Sequence, residues 1–341
     1  MIETPVAPTL EVVICTFNNS AMLDGVLSAL ARQVPFVSPG WTCLVVDNNC
    51  ADDTQHVVFK HIASGAVPGL RSVREPEQGL TPSRLRGVQT TTAIWIAFVD
   101  DNCFLQPDWV MEALSFDVRH PDAGAFGGRV ILDWHVEPPN YVRNFTYRFA
   151  EQNRGDTEQE VPFLAGAGLV VNRDALAACG WTDGPLVADR VGKNLISGGD
   201  VEIVLQIASA GYALWYAPRC VLHHNIPEWR TTKRYLKSMN RNLGVSQSLA
   251  DAPVSEGTTR QWFFRSILAT AKRTLGVTRL AAQVIRRSKS RTDFSIQMSF
   301  MLGQLQGIFR ILKMPRNQRR QLIGRARRPS GQLKPRHSEP S

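Results

Sequence analysis

The sequence predicts an α/β fold built on a mostly parallel central sheet flanked by helices, and three observations carry that expectation. Apolar runs of strand length alternate with segments of helical spacing through the first hundred residues. Each of the three clearest runs ends abruptly in polar residues: Thr16 and Asn18, then Asp47 and Asn49, then Asp100, Asp101 and Asn102. In open α/β sheets, ligands bind in the crevice beyond the carboxyl ends of the strands, so side chains released there are placed for chemistry.

The elements follow in order. Glu11 to Cys15 reads as a strand, and after Thr16-Phe17-Asn18-Asn19 the hydroxyl of Ser20 stands where an N-cap belongs, before a helix carrying Leu23, Leu27 and Leu30 on one face. Thr42 to Val46 is a second strand; Asp52 or Asp53 caps a helix to about Ser64, which Gly65 stops. A third strand near Leu70 to Val73 precedes Thr81-Pro82, the expected N-cap and first position of a helix through Val88, and Ile94 to Val99 is the next strand. Residues 133 to 164, with Trp134, Pro138, Pro139 and Tyr141, look irregular and are expected to form a mobile substrate loop. Gly166 to Val171 is a glycine-lined strand. Asp200 opens a helix with Val201, Val204, Leu205 and Ala208 on its apolar face and Gly211 at its end, and a strand from Ala213 to Leu222 then ends in His223-His224.

Beyond about residue 255 the character changes. Phe264, Ile267, Leu268, Ala271 and Leu275 have helical spacing, as do Phe294, Met298, Met301, Leu302, Leu305, Ile308, Phe309 and Leu312. Residues 260 to 337 hold 19 Lys or Arg against one acid, Asp293, whereas the first 259 carry a net charge of −8. The basicity therefore belongs to the tail. The expected division is a catalytic domain over 1–250, an amphipathic helical extension over 251–315 and a basic disordered tail over 316–341.

The N-terminus shows no basic n-region, and no stretch approaches about 18 uninterrupted apolar residues, so the expectation is a cytoplasmic protein, peripheral on the inner face of the membrane if the tail docks there. Amphipathic helices flanked by Arg and Lys suit an anionic bilayer, unless their apolar faces pack on the catalytic domain. A nucleic-acid partner is disfavoured, since few aromatics interleave the Arg-rich run and no RNA-binding motif occurs. Six cysteines without a CxxC pair read as reduced thiols. The first βα turn, Cys-Thr-Phe-Asn-Asn-Ser, lacks GxGxxG, and no GxxxxGK[ST] occurs, so a bound nucleotide is held by side chains and a cation, not by a glycine loop.

These motifs, in this order, resemble the family 2 glycosyltransferases of GT-A fold over roughly residues 10 to 240. Val-Val-Ile-Cys-Thr-Phe-Asn-Asn is similar to the family's opening strand and base-binding turn, which implies nucleotide contacts for Thr16 and Asn18. Val-Val-Asp-Asn-Asn resembles its second strand, which implies nucleoside contacts for Asp47 and Asn49. The segment Gly79 to Gly87 resembles the one whose Arg lies near the diphosphate, here Arg84. Asp100-Asp101-Asn102 falls on the Asp-x-Asp motif, with Asp100 and Asp101 toward the nucleotide and Asp100 and Asn102 toward a metal. Gly198-Gly199-Asp200 is similar to the motif that holds the catalytic base, which implies Asp200, and His224 falls on the family's His after the next strand, a further metal or phosphate contact.

Asn102 replaces the motif's second Asp, Leu85 a common Asn, and Gly199 the acid before the base, so one formal charge is lost at the metal motif. The resemblance implies an inverting, Mg2+- or Mn2+-assisted transfer from a UDP, GDP or dTDP sugar to a glycan or lipid-linked hydroxyl. The competing reading is a catalytically degenerate nucleotide-sugar binder. A nucleotidyltransferase on a related sheet fits less well, because its glycine-rich first turn is missing.

Overall fold

A computed structural model describes residues 8–34, 40–184, 198–255, 257–285 and 290–323. The parallel half of the sheet comprises β1 (Leu10–Thr16), β2 (Trp41–Asp47), β3 (Arg71–Arg74) and β4 (Trp95–Asp100), in the order β3-β2-β1-β4. Beyond β4 the sheet is mixed. β8 (Leu169–Asn172) runs antiparallel to both β4 and β6 (Ala123–Trp134), β9 (Ala213–Ile226) runs parallel to β6, and β5 (Cys103–Leu105) and β7 (Gln159–Glu160) pair antiparallel to β9. Alternation along β1 explains the unbroken apolar runs. Val12 and Ile14 pack with α1 (Ser20–Leu30) and α4 (Trp109–Arg119), while Val13 faces Val88 of α3 (Leu80–Thr90) and the core side of α7 (Gly199–Ser209). Both faces of the sheet are covered, so no polar alternation is needed.

Several boundaries differ from expectation for identifiable reasons. Ser20 is the first residue of α1, not its cap. Its N–H donates to Asp52 Oδ2 at 2.9 Å, while Asp52 Oδ1 accepts from Thr54 N at 3.2 Å and Thr54 Oγ1 at 2.6 Å. One carboxylate thus holds the N-termini of α1 and α2 (Thr54–Ser64) together. Helix α3 begins two residues before Pro82, with Gly79 at its N-cap; Gly79 has φ +144°, open to glycine alone, and its N–H donates to Asn48 Oδ1.

In α7 the buried face is Glu202, Ile203, Val204, Gln206 and Ile207, and Ala208 is exposed. The helix is rotated from its apolar pattern because Gln206 Nε2 donates to Glu202 Oε1 at 2.8 Å, which satisfies two polar side chains inside the core. Strand β9 continues through His223 and His224 to Ile226, its extra length paired with Cys103–Leu105 and with Ile131–Trp134.

The segment 133–164 is packed around Val142 to Phe149, and residues 153–157 are exposed. It contains α5 (Asn140–Arg143) and a 3-10 turn over Thr146–Phe149, and Val142, Phe145 and Phe149 are buried against Ile226, Leu236, Met239 and Ile296. The C-terminal helices are α8 (Lys233–Val254), α9 (Thr259–Ile285) and α10 (Arg291–Lys313). Met301 and Ile308 of the expected α10 stripe are buried, but Leu302 and Phe309 are 45% and 59% exposed. The seam against α8 instead uses Ile296, Gly303, Gln304, Gly307, Ile308 and Ile311. Glycines set it. A Cβ on Gly303 would lie 1.9 Å from the Arg241 carbonyl oxygen, and one on Gly244 would lie 2.1 Å from that of Phe300. The segment expected to be a disordered tail starts with a helix, α11 (Arg316–Leu322). Residues 324–341, most of the Asp183–Lys193 loop and the Leu275 side chain lie outside the described residues. No described helix is long and apolar enough to cross a membrane.

Candidate active site

Register brings the polar strand ends together. Thr16 is paired with Asp47 and Cys15 with Asp100, so all of them end at one edge of the parallel sheet. A cleft of about 530 Å³ opens there, lined by Thr16, Asn18, Asn48, Asp100, Asp101 and Asn102, with Phe17, Trp229 and Arg230. Its floor is tied by hydrogen bonds. Asp101 accepts from Thr16 Oγ1 at 2.8 Å and Asn19 Nδ2 at 2.9 Å, which locks the end of β4 to the turn after β1. Asn18, at φ +50°, accepts from Ala51 N at 2.7 Å and donates its own N–H to Cys50 Sγ. Asp101 is thereby a structural clamp beside the cleft as well as part of its wall.

Asp47 and Asn49, expected on the nucleotide side, do not line the cleft. Asp47 is buried and accepts from Cys50 N at 2.7 Å; Asn49, at φ +62°, accepts from Arg74 Nη2. Their intervening neighbour reaches it. Asn48 donates to the carbonyls of Glu75 and Glu77 and accepts from Gly79 N, holding the loop that leads into α3. Sequence reasoning passed over Asn48 because a three-residue polar turn does not show which member points inward.

A second cavity of about 290 Å³ adjoins the first and shares Leu80, Asp100 and Arg230 with it. It holds Arg84, Asp200 and His224. Arg84 is buried, its Nη2 3.9 Å from Asp100 Oδ1 and its guanidinium 5.5 Å from the Phe98 ring centre. Asp200 sits in the first turn of α7, where the helix dipole favours a carboxylate. It fits there because residue 166 is glycine: a Cβ on Gly166 would lie 2.1 Å from Asp200 Oδ2 and 2.6 Å from its Cβ.

His224 lines the smaller cavity together with Asp100, while Asn102 lines the larger one. His224 is buried, its Nδ1 lies 2.8 Å from the Phe149 carbonyl and so carries the proton, and its Nε2 lies 3.4 Å from Arg230 Nη1. Arg230 also donates from Nε to Tyr235 Oη at 3.0 Å, which makes it a fixed cation at the junction of the two cavities. Lys233 and Arg234, which follow it in the sequence, line neither.

The donor set suits a hard cation held by few protein ligands. Asn102 Nδ2 donates to the Asn225 carbonyl at 2.9 Å, so the amide's other terminus, Oδ1, is the atom that would face a cation in the cleft that Asp100 also lines. Among the described residues no group of three His, Cys, Asp or Glu side chains gathers to hold an ion. A cation held by so few protein groups would complete its shell with phosphate oxygens and water, the habit of Mg2+. Cys15 lines the cleft, and burial pushes its thiol up to about 12 in spite of nearby Arg84, which keeps it in the protonated, weakly nucleophilic form. All six cysteines are free.

The glycosyl transferase family 2 model matches residues 11–180. The chain is 24% identical over 249 residues to a glucosyl-dolichyl phosphate glucuronosyltransferase of Haloferax volcanii, across 71% of this chain and 77% of that one. It is 20% identical over 255 residues to the succinoglycan biosynthesis protein ExoM of Rhizobium meliloti, across 74% and 78%. Among solved structures, the mannosyltransferase PcManGT of Pyrobaculum calidifontis, in complex with GDP-Man and Mn2+, superposes with TM-score 0.57 at 15% identity over 90% of this chain and 88% of that one. S. aureus TarS in complex with UDP-GlcNAc superposes with TM-score 0.50 at 14% identity over 70% and 66%. These likenesses place the fold as GT-A. Strand order, the polar strand ends and the matched segment agree, and the chain belongs to glycosyl transferase family 2.

Proposed function

We propose that the chain transfers a sugar from a nucleoside-diphosphate donor of UDP, GDP or dTDP type to a hydroxyl of a glycan or lipid-linked acceptor, with inversion, in polysaccharide or cell-envelope glycan synthesis. The observation that carries this reading is the pair of cavities meeting at Asp100 and Arg230, with Asp200 in the smaller one. The larger takes the nucleotide and the smaller the acceptor. A sugar hydroxyl is a weak nucleophile, so a base must take its proton as the bond to the anomeric carbon forms; Asp200 is that base. Arg84 and Arg230 face the charge that develops on the departing diphosphate. Asp100 and Asn102 would hold Mg2+ or Mn2+, which would supply Lewis-acid neutralisation of the same charge. Direct displacement follows from the wall of the acceptor cavity, where Asp200 is the carboxylate besides Asp100, and Asp100 is engaged with Arg84.

The acceptor's location is read from the C-terminal helices. Phe264 and Leu268 on α9 are 58% and 57% exposed, as Leu302 and Phe309 are on α10, with Arg260, Arg265, Arg310 and Lys313 exposed near them in sequence. Such a face fits the surface of an anionic bilayer on its cytoplasmic side. The decisive experiment screens UDP, GDP and dTDP sugars with Mn2+ for binding and turnover in the wild type and in Asp200→Asn. The variant should bind nucleotide as the wild type does and lose transfer by about 10³-fold, within the contribution of a general base; retained turnover overturns the assignment of Asp200.

A further inference from the structure

Two exposed aromatic rings line the larger cleft, Phe17 at 40% and Trp229 at 60%. They belong to different parts of it. Phe17 stands between Thr16 and Asn18 in the turn after β1, whereas Trp229 follows β9, which β4, β8 and β6 separate from β1 in the sheet. Of the eight tryptophans in the chain, Trp229 is the one that is exposed. The turn that carries it is fixed. Within the 3-10 turn Glu228–Thr231, Arg230 N donates to the Pro227 carbonyl at 3.0 Å and Thr231 Oγ1 to that of Glu228 at 2.7 Å, while Thr232 Oγ1 donates to that of Trp229 at 3.0 Å. The indole meets the Tyr235 ring edge to face, their centres 5.1 Å apart at 89°, and Tyr235 Oη accepts from Arg230 Nε. One turn thus sets a buried guanidinium at the junction of the two cavities and, on the preceding residue, a broad apolar ring in the larger one alone. Any ligand that takes part of this ring out of water is favoured without a further hydrogen bond.

We propose that Trp229 is the platform for the donor sugar, its indole stacking on the C–H face of the pyranose and holding the anomeric carbon at the junction of the cavities. The proposal rests on the assignment of the larger cleft to the nucleotide and the smaller to the acceptor. For a hydroxyl deprotonated by Asp200 to reach the anomeric carbon, that carbon must stand at the junction beside Asp100 and Arg230, with the diphosphate behind it in the larger cleft. The attached ring then lies at the Trp229 end, away from the turn that holds Phe17. A pyranose presents a flat patch of C–H groups rimmed by hydroxyls, and an indole offers a large rigid face to match it. Trp229 also lies beyond residue 180, where the family match ends, so the contact with the sugar can vary while the nucleotide floor is kept.

The test is isothermal titration of the full chain with Mn2+ and no acceptor, comparing UDP with UDP-glucose, GDP with GDP-mannose and dTDP with dTDP-glucose. The pair that the wild type binds is carried forward. Trp229→Ala should weaken the sugar nucleotide about tenfold and leave the matching nucleoside diphosphate within about twofold, whereas Trp229→Phe, which keeps a ring, should lose no more than about threefold. Acrylamide quenching gives a second readout on the wild type itself, because Trp229 is the exposed tryptophan: the sugar nucleotide should shield its emission and the nucleoside diphosphate should not. Equal losses for both ligands in Trp229→Ala would assign the ring to the nucleotide and overturn the proposal. An unchanged affinity for the sugar nucleotide overturns it too, as does shielding of the same extent by both ligands. Failure of every nucleoside diphosphate to bind the wild type would instead remove the donor cleft, and the proposal with it.

Discussion

Replacing Gly166 by alanine tests the placement of the base without touching it. The added Cβ would lie 2.1 Å from Asp200 Oδ2 and 2.6 Å from Asp200 Cβ. Turning the carboxylate away relieves the first contact, but the second is with the root of the side chain, which moves only with the first turn of α7. Restoring an ordinary separation of about 3.4 Å requires the Asp200 Cβ to retreat by roughly 0.8 Å and its oxygen by more. A displacement of about 1 Å at a reacting group costs on the order of 100-fold in rate. The expected result is therefore single-turnover transfer slowed by about 100-fold, with nucleotide binding unaltered. Overpacking also destabilises by about 1–3 kcal/mol, so turnover must be taken per folded molecule. Gly124→Ala supplies the comparison. There a Cβ would lie 2.4 Å from Tyr212 Cβ and 2.7 Å from Ile207 Cγ2, at the opposite end of the same helix. It should lower the melting temperature while leaving the rate per folded molecule at the wild-type value. Wild-type turnover in folded Gly166→Ala would show that the position of Asp200 does not limit the reaction.

Two further outcomes are expected. Asn102→Asp restores a second carboxylate beside Asp100 and should tighten Mn2+ binding roughly tenfold in a paramagnetic resonance titration, because affinity follows the ligand charge count; unchanged affinity removes Asn102 from the ion site. Phe264→Glu combined with Phe309→Glu, at two exposed positions outside the packed core, should abolish cosedimentation with phosphatidylserine vesicles and leave the fold intact, and sedimentation equal to the wild type ends the case for a bilayer partner.

The sequence made β1, β2 and β4 legible because both faces of the sheet are covered, so each strand is an uninterrupted apolar run with a sharp polar end. The cluster of Thr16, Asn18 and Asp100 to Asn102 followed from those ends and from parallel pairing alone. What stayed hidden depends on partners distant in the chain. Asp52 holds two helix N-termini at once, Asn48 reaches across to Glu75, Glu77 and Gly79, and His224 faces Arg230. None of these leaves a periodic trace. The buried face of α10 departs from its apolar stripe for a related reason: an apolar count passes over Gly244, Gly303 and Gly307, where α8 and α10 approach closely.

Within Asp100-Asp101-Asn102, neighbouring residues divide their tasks. Asp101 is occupied with Thr16 and Asn19, so it stiffens the floor, while Asp100 lines both cavities and stands where they join. The family model ends at residue 180, and the larger cleft lies mostly within the segment it covers, with Asn225, Pro227, Trp229, Arg230 and Tyr235 added from beyond it. In the smaller cavity Asp200, His224, Arg230 and the α8 residues lie beyond it, while Arg84, Asp100, Tyr147 and Phe163 lie within it. A nucleoside diphosphate presents the same phosphates and ribose whatever sugar it carries, so its floor can be common to many enzymes. Acceptors differ in size, charge and anchorage, and the elements that meet them must differ accordingly. On the proposed assignment of the smaller cavity to the acceptor, α8, which supplies Leu243, Ser246 and Gln247 to its wall, would contribute to specificity and not only to support.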